Sequence, residues 1–229
     1  TILSGMGELH LEVAISRMRR EYNTSVNVGR PQVVYRETPA KAATGHAVFD
    51  REVAGQRHFA EVEISVNPLS RGQGVKVTSR VSEETIPEQY GPAVEKGIRE
   101  ALEYGELMGY PVVDVEVVVT GGSYREHLAS ELAYSVAASM ACRQALSNAE
   151  PYLLEPIMDV EVFVPETFMG DVIGDLNSRG GKVESIAAKG DNQIISAIAP
   201  LSKMFGYTTA LRSASQGRGT FTMKFSHFD

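Results

Sequence analysis

Apolar and polar residues alternate with period two along two stretches of the chain, the pattern of half-buried strands. Ala60, Val62, Ile64 and Val66 fall on one face against Phe59, Glu61, Glu63 and Ser65, and Val75, Val77, Ser79 and Val81 repeat the period after turn-forming text at 67–74. The period then changes to that of a helix. Pro92 opens a helix with Val94, Ile98, Ala101 and Leu102 on one face, closed by Gly105, and Val115 to Val119 forms a nearly all-apolar strand. Residues 130–147 read as a second helix with Ala133, Val136, Ala137, Met140, Ala141 and Ala145 inward. Small side chains at those positions allow close packing on a sheet, and the whole is an α+β unit.

The pattern restarts at Met158. Val160, Val162 and Val164 alternate, and Met169, Val172, Ile173 and Leu176 follow at helical spacing. After Gly180-Gly181 come strands at 183–188 and 194–199, a helix with Met204, Phe205, Thr208 and Leu211 inward, and a strand with Phe221, Met223 and Phe225 on one face. That order, βαββαβ, is the ferredoxin-like plan. Upstream, residues 5–28 predict a helix and then a strand at Ser25 to Val28, with Gly29-Arg30-Pro31 marking a boundary. Two elements cannot close a core, so this segment reads as a fragment of a domain.

With 229 residues, 43% of them apolar, the chain has enough material for two domains beyond that fragment. No apolar run approaches the roughly 18 residues of a membrane span and no signal-peptide pattern opens the chain, so the expectation is a soluble cytoplasmic protein. The single Cys142, on an Ala-rich helix, reads as a small buried side chain. The net charge of −7 argues at first against a nucleic-acid partner. Yet residues 31–157 hold 11 Lys+Arg against 18 Asp+Glu, whereas 158–229 hold 7 against 8 and 1–30 hold 4 against 3. The acidity is local, at Glu83, Glu84, Glu88, Glu95, Glu100, Glu103 and Glu106. Basic side chains gather elsewhere, at Arg51, Arg57, His58, Arg71 and Arg125, which the sequence pattern places in loops.

Four blocks in order, GMGELHLEVAISRMRREYNTSVNVGRPQVVYRET, AVEKGIREALEYGELMGYPVVDV, LLEPIMDVEVFVPETFMGDVIGDLNSRGGKV and SKMFGYTTALRSASQGRGTFTMKF, resemble the C-terminal half of elongation factor G, the GTPase that moves tRNA and mRNA through the ribosome. The resemblance implies three parts. Residues 1–29 are the truncated end of a ferredoxin-like third domain, 30–156 a ribosomal-protein-like βαβ fourth domain, and 157–229 a ferredoxin-like fifth domain. It also implies a monomer whose partners are the ribosome, tRNA and mRNA.

Two loops of the fourth domain form, in the family, the tip that enters the decoding region of the small subunit. The family text GSYHDVDSSE corresponds to Gly122 onward, where Tyr124 is kept, Arg125 stands at the tip histidine, and His127 follows. The family text GGRGQYGHV corresponds to VAGQRHFAEV, where Gly55, Arg57 and the aromatic Phe59 keep the loop's character, His58 stands in place of glutamine, and Ala60-Glu61 in place of glycine and histidine. Arg57, His58, Tyr124, Arg125 and His127 are therefore the candidate RNA contacts there, with Arg suited to bidentate phosphate contact. In the fifth domain LRSASQGRG matches the family's LRSxTQGRG, which implies that Arg212, Ser213 and Gln216 approach the sarcin-ricin loop of the large subunit. Arg179 and Lys182, flanking Gly180-Gly181, are further candidates near the stalk base.

No catalytic residue, metal site or cofactor is expected in this chain. The nucleotide-cradling run G-x-x-x-x-G-K-[ST] is missing, since Gly181-Lys182 precedes Val183 and Leu176 stands where the first glycine belongs. GTP and magnesium would belong to a GTPase domain of the parent. Glu8, His10 and Glu12 do not make a metal clasp on a helix, where His10 points away from the other two. His127 and Glu131, one turn apart, read as a helix-start pair. Two alternatives stay open: a paralogue specialised for ribosome recycling, and a stand-alone RNA-binding adaptor. Thr1, falling inside a domain, suits an excised piece of a longer protein.

Overall fold

The computed structural model describes residue 3, residues 8–28 and residues 33–229; at 8–10 it describes the backbone alone. The chain divides into two compact units, one of residues 35–154 and one holding 1–34 and 155–229. Helix α1 (Glu8–Tyr22) opens the second of these, with Arg17 and Glu21 paired one turn apart. The strand expected at Ser25 to Val28 does not form; these residues belong to no helix or strand. No described strand pairs with it, and an alternating segment without a neighbour forms no ladder. The Gly29-Arg30-Pro31 boundary lies outside the described residues.

The 35–154 unit carries β1 (Arg36–Thr38), β2 (Ala43–Val53), β3 (Gln56–Pro68), β4 (Val75–Ser79), α2 (Gly91–Glu103), β5 (Val115–Ser123), α3 (Glu131–Asn148) and β6 (Tyr152–Leu154). Its four-stranded sheet has the order β2-β3-β5-β4, with β4 parallel to β5 across the α2 crossover. β1 and β6 pair separately, where the chain enters and leaves. Ala60, Val62, Ile64, Val66, Val115 and Val117 line the core face of the sheet, fully buried. Against them lie Ala133, Ala137, Ala141 and Ala145 of α3, whose small side chains bring helix and sheet into close contact. α3 also packs on α2, so Tyr134, Ala138, Cys142 and Leu146 are buried as well. Met140, expected inward, is exposed because contacts to α2 and to the sheet occupy the other faces of the helix.

Glu37 is a buried carboxylate that the sequence pattern does not reveal. It accepts backbone hydrogen bonds from Leu107 (3.0 Å), Met108 (2.8 Å) and Tyr110 (3.1 Å), and so fixes the 105–110 turn. Three donors satisfy a group whose burial would otherwise be costly.

The final strands and helices are β7 (Pro156–Pro165), α4 (Met169–Ser178), β8 (Lys182–Lys189), β9 (Asn192–Pro200), α5 (Tyr207–Ala214) and β10 (Thr220–Phe228). The sheet order β10-β7-β9-β8, all antiparallel, is that of a ferredoxin-like βαββαβ domain. Val160, Val162, Val164, Ile195, Ala197 and Ala199 face Val172, Leu176, Tyr207 and Leu211 of the helices. Met204 is buried in the turn before α5 rather than on the helix, and Tyr207 is the helix's largest inward side chain. Phe225 keeps the face of Phe221 and Met223, opposite Met158, but is exposed; the register shifts just after it, and its ring packs on Phe228.

Candidate nucleic-acid interface

β2 and β3 form a hairpin whose two-residue turn is Ala54-Gly55, both with positive φ (53° and 82°). Such a turn matches the twist of the flanking strands. Arg51, Arg57 and His58, expected in a loop, lie on these strands, because the ladder runs to Val53↔Gln56. Arg57 donates to Asp50 through Nε (2.7 Å) and Nη2 (2.8 Å), a bidentate pair on an exposed surface. That guanidinium holds the Asp50 carboxyl below the usual carboxylate range, and the same bonds raise Arg57. Arg57 is thus already partnered.

The expected loop Gly121 to His127 begins later than the sequence suggests. Gly121, Gly122 and Ser123 belong to β5 and pair with Glu63, Val62 and Glu61 after a bulge. Lack of a side chain permits this: a Cβ on Gly122 would stand 2.4 Å from the Glu61 carbonyl and 2.9 Å from Ile86 Cδ1. The true loop is 124–130. Phe59 N–H donates to the Leu128 carbonyl (2.7 Å), and Leu128 and Ala129 N–H donate to the Arg125 carbonyl, so the loop folds down over β3. Phe59, expected on the outer face of its strand, is only 3% exposed for that reason.

Arg125 completes the cover. Its guanidinium carbon lies 3.8 Å from the Phe59 ring centroid while the side chain stays exposed, so one guanidinium face rests on the ring. His58 Nδ1 meets Ser130 Oγ at 2.8 Å, and Ser130 caps α3 by accepting from Ala133 N–H. His58 thereby ties hairpin to helix start. Tyr124 is half-buried beside Tyr90, which stacks on Tyr134, and burial raises its hydroxyl. His127 is exposed, and among the described residues no ion pair joins it to Glu131.

One constellation escaped the sequence reading. Glu61 accepts from Ser123 Oγ (2.5 Å) and meets His46 Nε2 (2.8 Å), linking β2, β3 and β5 beneath the loop. The Ser123 and His46 contacts hold its carboxyl below the usual range. Its only signal is the cross-strand register, which requires the bulge to be known.

In the ferredoxin-like domain α5 ends in a Schellman motif: Gly217 N–H reaches the Arg212 carbonyl (2.7 Å) and Gln216 N–H the Ser213 carbonyl (3.4 Å). Gln216 occupies the left-handed position at φ 52°, where glycine is the usual residue, and Gly217 follows at 78°. Buried Ser215 donates to the Leu211 carbonyl (2.6 Å) and accepts from Gly219 N–H (2.8 Å), pinning the turn. Arg212, Ser213 and Gln216 all stand exposed on it. The arrangement holds a cation, a hydroxyl and an amide on a rigid corner.

Arg179 and Lys182 are not brought to that corner as a pair. Arg179 bonds Asp175 Oδ2 (2.9 Å) and the Lys203 carbonyl (2.8 Å), with its guanidinium over the Tyr207 ring, so it fastens the 201–205 turn. Lys182 is exposed at the start of β8. Among the described residues no group of three His, Cys, Asp or Glu could hold a metal, with the side chains of Glu8 and His10 lying outside that description. Cys142 is fully buried and its thiol is pushed up to about 12, which removes nucleophilic character. No described helix is long and apolar enough to cross a membrane.

Residues 31–150, more than half of the chain, match the family model for elongation factor G, domain IV. The chain belongs to the elongation factor G family. The family's C-terminal model matches residues 152–229, and its domain III model matches 1–30. Elongation factor G of Aquifex pyrophilus is 50% identical over 228 residues, covering 100% of this chain and 33% of that protein. A crystal structure from Thermus thermophilus is similar with a TM-score of 0.87 at 35% identity, covering 98% of this chain and 33% of that one. The chain therefore spans about a third of the length of these relatives.

Proposed function

We propose that this chain is the ribosome-facing portion of an elongation factor G-type translational GTPase and acts in moving tRNA and mRNA through the ribosome. Arg125 carries the reading. Its guanidinium is held 3.8 Å from the Phe59 ring centroid at the end of a closely packed sheet, which leaves its outer face and its donors for a base or a phosphate. A cation pre-stacked on a buried ring loses little freedom on contact. In this reading Arg57, His58, Tyr124, Arg125 and His127 form the tip that enters the decoding region. Arg212, Ser213 and Gln216 form a second contact at the sarcin-ricin loop, with Lys182 beside the stalk base and Arg179 bracing the turn. Residues 1–29, 30–156 and 157–229 act as the third, fourth and fifth domains. GTP, magnesium and the hydrolytic chemistry belong to the part of the parent that these residues do not include.

The test is Arg125→Ala in the full-length parent. Losing one such contact, worth about 1.4 kcal/mol in the rate-limiting state, slows single-round translocation about tenfold. Stability falls by less than about 1 kcal/mol, the size of an exposed cation–π contact. A large loss of stability with an unchanged rate would make Arg125 structural. Subunit splitting measured alongside separates the functions: a defect confined to splitting identifies a recycling paralogue. A native protein with no GTPase domain would instead identify the stand-alone adaptor.

A further inference from the structure

β4 borders a cleft whose Ile86 lies against Gly122 but which neither the tip residues nor the α5 corner uses. Its volume is about 310 Å³, and Val77, Val81, Ile86, Val94, Ile98 and Val119 form its apolar wall. Ile86, Val94, Ile98 and Val119 belong to the buried core, so the wall is rigid. At the mouth stand Glu83 and Glu88, both exposed, and Glu95, which pairs with Arg99 on its own helix. Among the described residues no ion pair engages Glu83 or Glu88. Both carboxylates are therefore open to an incoming cation.

β4 adds a second feature. It is the terminal strand of the sheet, and Val77, Thr78 and Ser79 in succession line the cleft, so the strand's free edge borders it. Arg80 N–H donates inward to the Val119 carbonyl. Successive residues of a strand bond to opposite sides, which turns the N–H and C=O of Val77 and Ser79 outward. An unpaired edge beside an apolar cleft is the arrangement that receives an added strand.

We propose that this cleft is a docking site for an extended basic segment of a protein partner. The segment pairs its main chain with Val77 and Ser79, places one large apolar side chain in the cleft, and sets Lys or Arg two residues to either side against Glu83 and Glu88. Spacing of two follows from strand geometry, which puts residues i and i±2 on the same face. The glutamates decide between macromolecules. A phosphate backbone would meet two unpaired carboxylates there, whereas a cationic peptide is drawn in. This site is the reverse in charge of the Arg125 tip and does not depend on the ribosomal reading of that tip.

The test uses the 229-residue chain, isotope-labelled, titrated with the peptide Ser-Lys-Thr-Leu-Thr-Lys-Ser and followed by its amide resonances. The proposal expects shifts at Val77 and Ser79, and slower exchange of those two amides. In Glu83→Gln/Glu88→Gln, two surface substitutions that spare the core, binding weakens about five- to tenfold, the size of two rim ion pairs. It also weakens with salt in the unaltered chain. Replacing Leu by Ser in the peptide abolishes the shifts. Unmoved Val77 and Ser79, equal binding of the Leu→Ser peptide, or an undiminished affinity in the double variant would each overturn the proposal. So would a single-stranded oligoribonucleotide that shifts the same amides.

Discussion

Gly97 sits inside α2, where replacement by alanine is expected to help a helix by about 0.8–1.0 kcal/mol on intrinsic grounds. The packing reverses that sign. A Cβ at Gly97 would lie 2.0 Å from the Ser135 carbonyl oxygen and 2.8 Å from its carbon, both backbone atoms of α3 that no rotamer change can clear. An ordinary carbon–oxygen contact is about 3.3 Å or more, so the helices must part by roughly an ångström. Parting them loosens Val94, Ile98, Ala101 and Leu102 from Tyr134 and Ala138. Overpacking of this kind costs about 1–3 kcal/mol or more, which outweighs the gain in propensity. Gly91 supplies a comparison: it begins the same helix, and a Cβ there meets nothing within 4 Å beyond its chain neighbours, leaving only the local cost of a helical residue before Pro92. Amide exchange at Ile98 and Ala138 reads the stability of the 35–154 unit by itself. Gly97→Ala should speed exchange at both amides by at least about fivefold, the equivalent of 1 kcal/mol, and by clearly more than Gly91→Ala does. Equal protection in the two variants would refute the claim that glycine is needed for the helix contact.

Three further outcomes can be checked on the same protein. Gln216→Gly should stabilise the ferredoxin-like domain by about 0.5–1 kcal/mol, since a left-handed residue with a Cβ is strained; in the parent, the proposed ribosome contact predicts weaker binding in spite of that gain, and unchanged affinity would reduce Gln216 to a cap. Glu61, held below its ordinary value of 4.5, favours the folded state when ionised, so its contribution is fully present above that value and is lost as pH falls through the depressed folded value. Glu61→Gln should therefore flatten the acid limb of a stability profile measured below about pH 4.5, and an unchanged slope would remove the Ser123–His46 contacts as the cause. Cys142 should resist thiol reagents at pH 8 in the native chain and react at once in denaturant; rapid native labelling would contradict its burial.

The period-two and helical patterns carried most of the elements, because buried Val62, Ile64, Val172 and Leu176 face a core in one orientation only. What they missed has a common origin in contacts between residues far apart in sequence. Phe59 alternates correctly with Ala60 yet is buried, since a loop more than sixty positions onward folds over it. Arg57 and His58 read as loop residues because Ala54-Gly55 closes a hairpin tighter than its polar text suggests. Arg179 looked like a free cation beside two glycines, and only the fold supplies the carbonyls of Lys203 and Phe205 that occupy it. Glu37 gave no signal at all: its three backbone donors lie about seventy residues away.

The charge of the chain also becomes intelligible at the level of single strands. Glu83 and Glu88 border β4 at one edge of the sheet, while Arg51 lies on β2 at the other. Three interstrand spacings of about 4.8 Å put some 14 Å between those edges. The Debye length in physiological salt is about 8 Å, so exposed charges that far apart act almost independently. A net charge of −7 therefore says little about what a phosphate would meet at the β2 edge. At the tip itself the decisive local facts are that Asp50 already holds Arg57, that Glu61 is held by Ser123 and His46, and that Arg125 has a ring beneath it and, among the described residues, no hydrogen-bonded carboxylate. By the same argument, removing the β4-side acids should leave any RNA affinity of the β2 edge almost unchanged at physiological salt. At about 10 mM salt, where the screening length grows to about 30 Å, the same substitutions should strengthen it. A gain of equal size at both ionic strengths would mean that the two edges are electrostatically one surface, and the separation argued from the sheet order would fail.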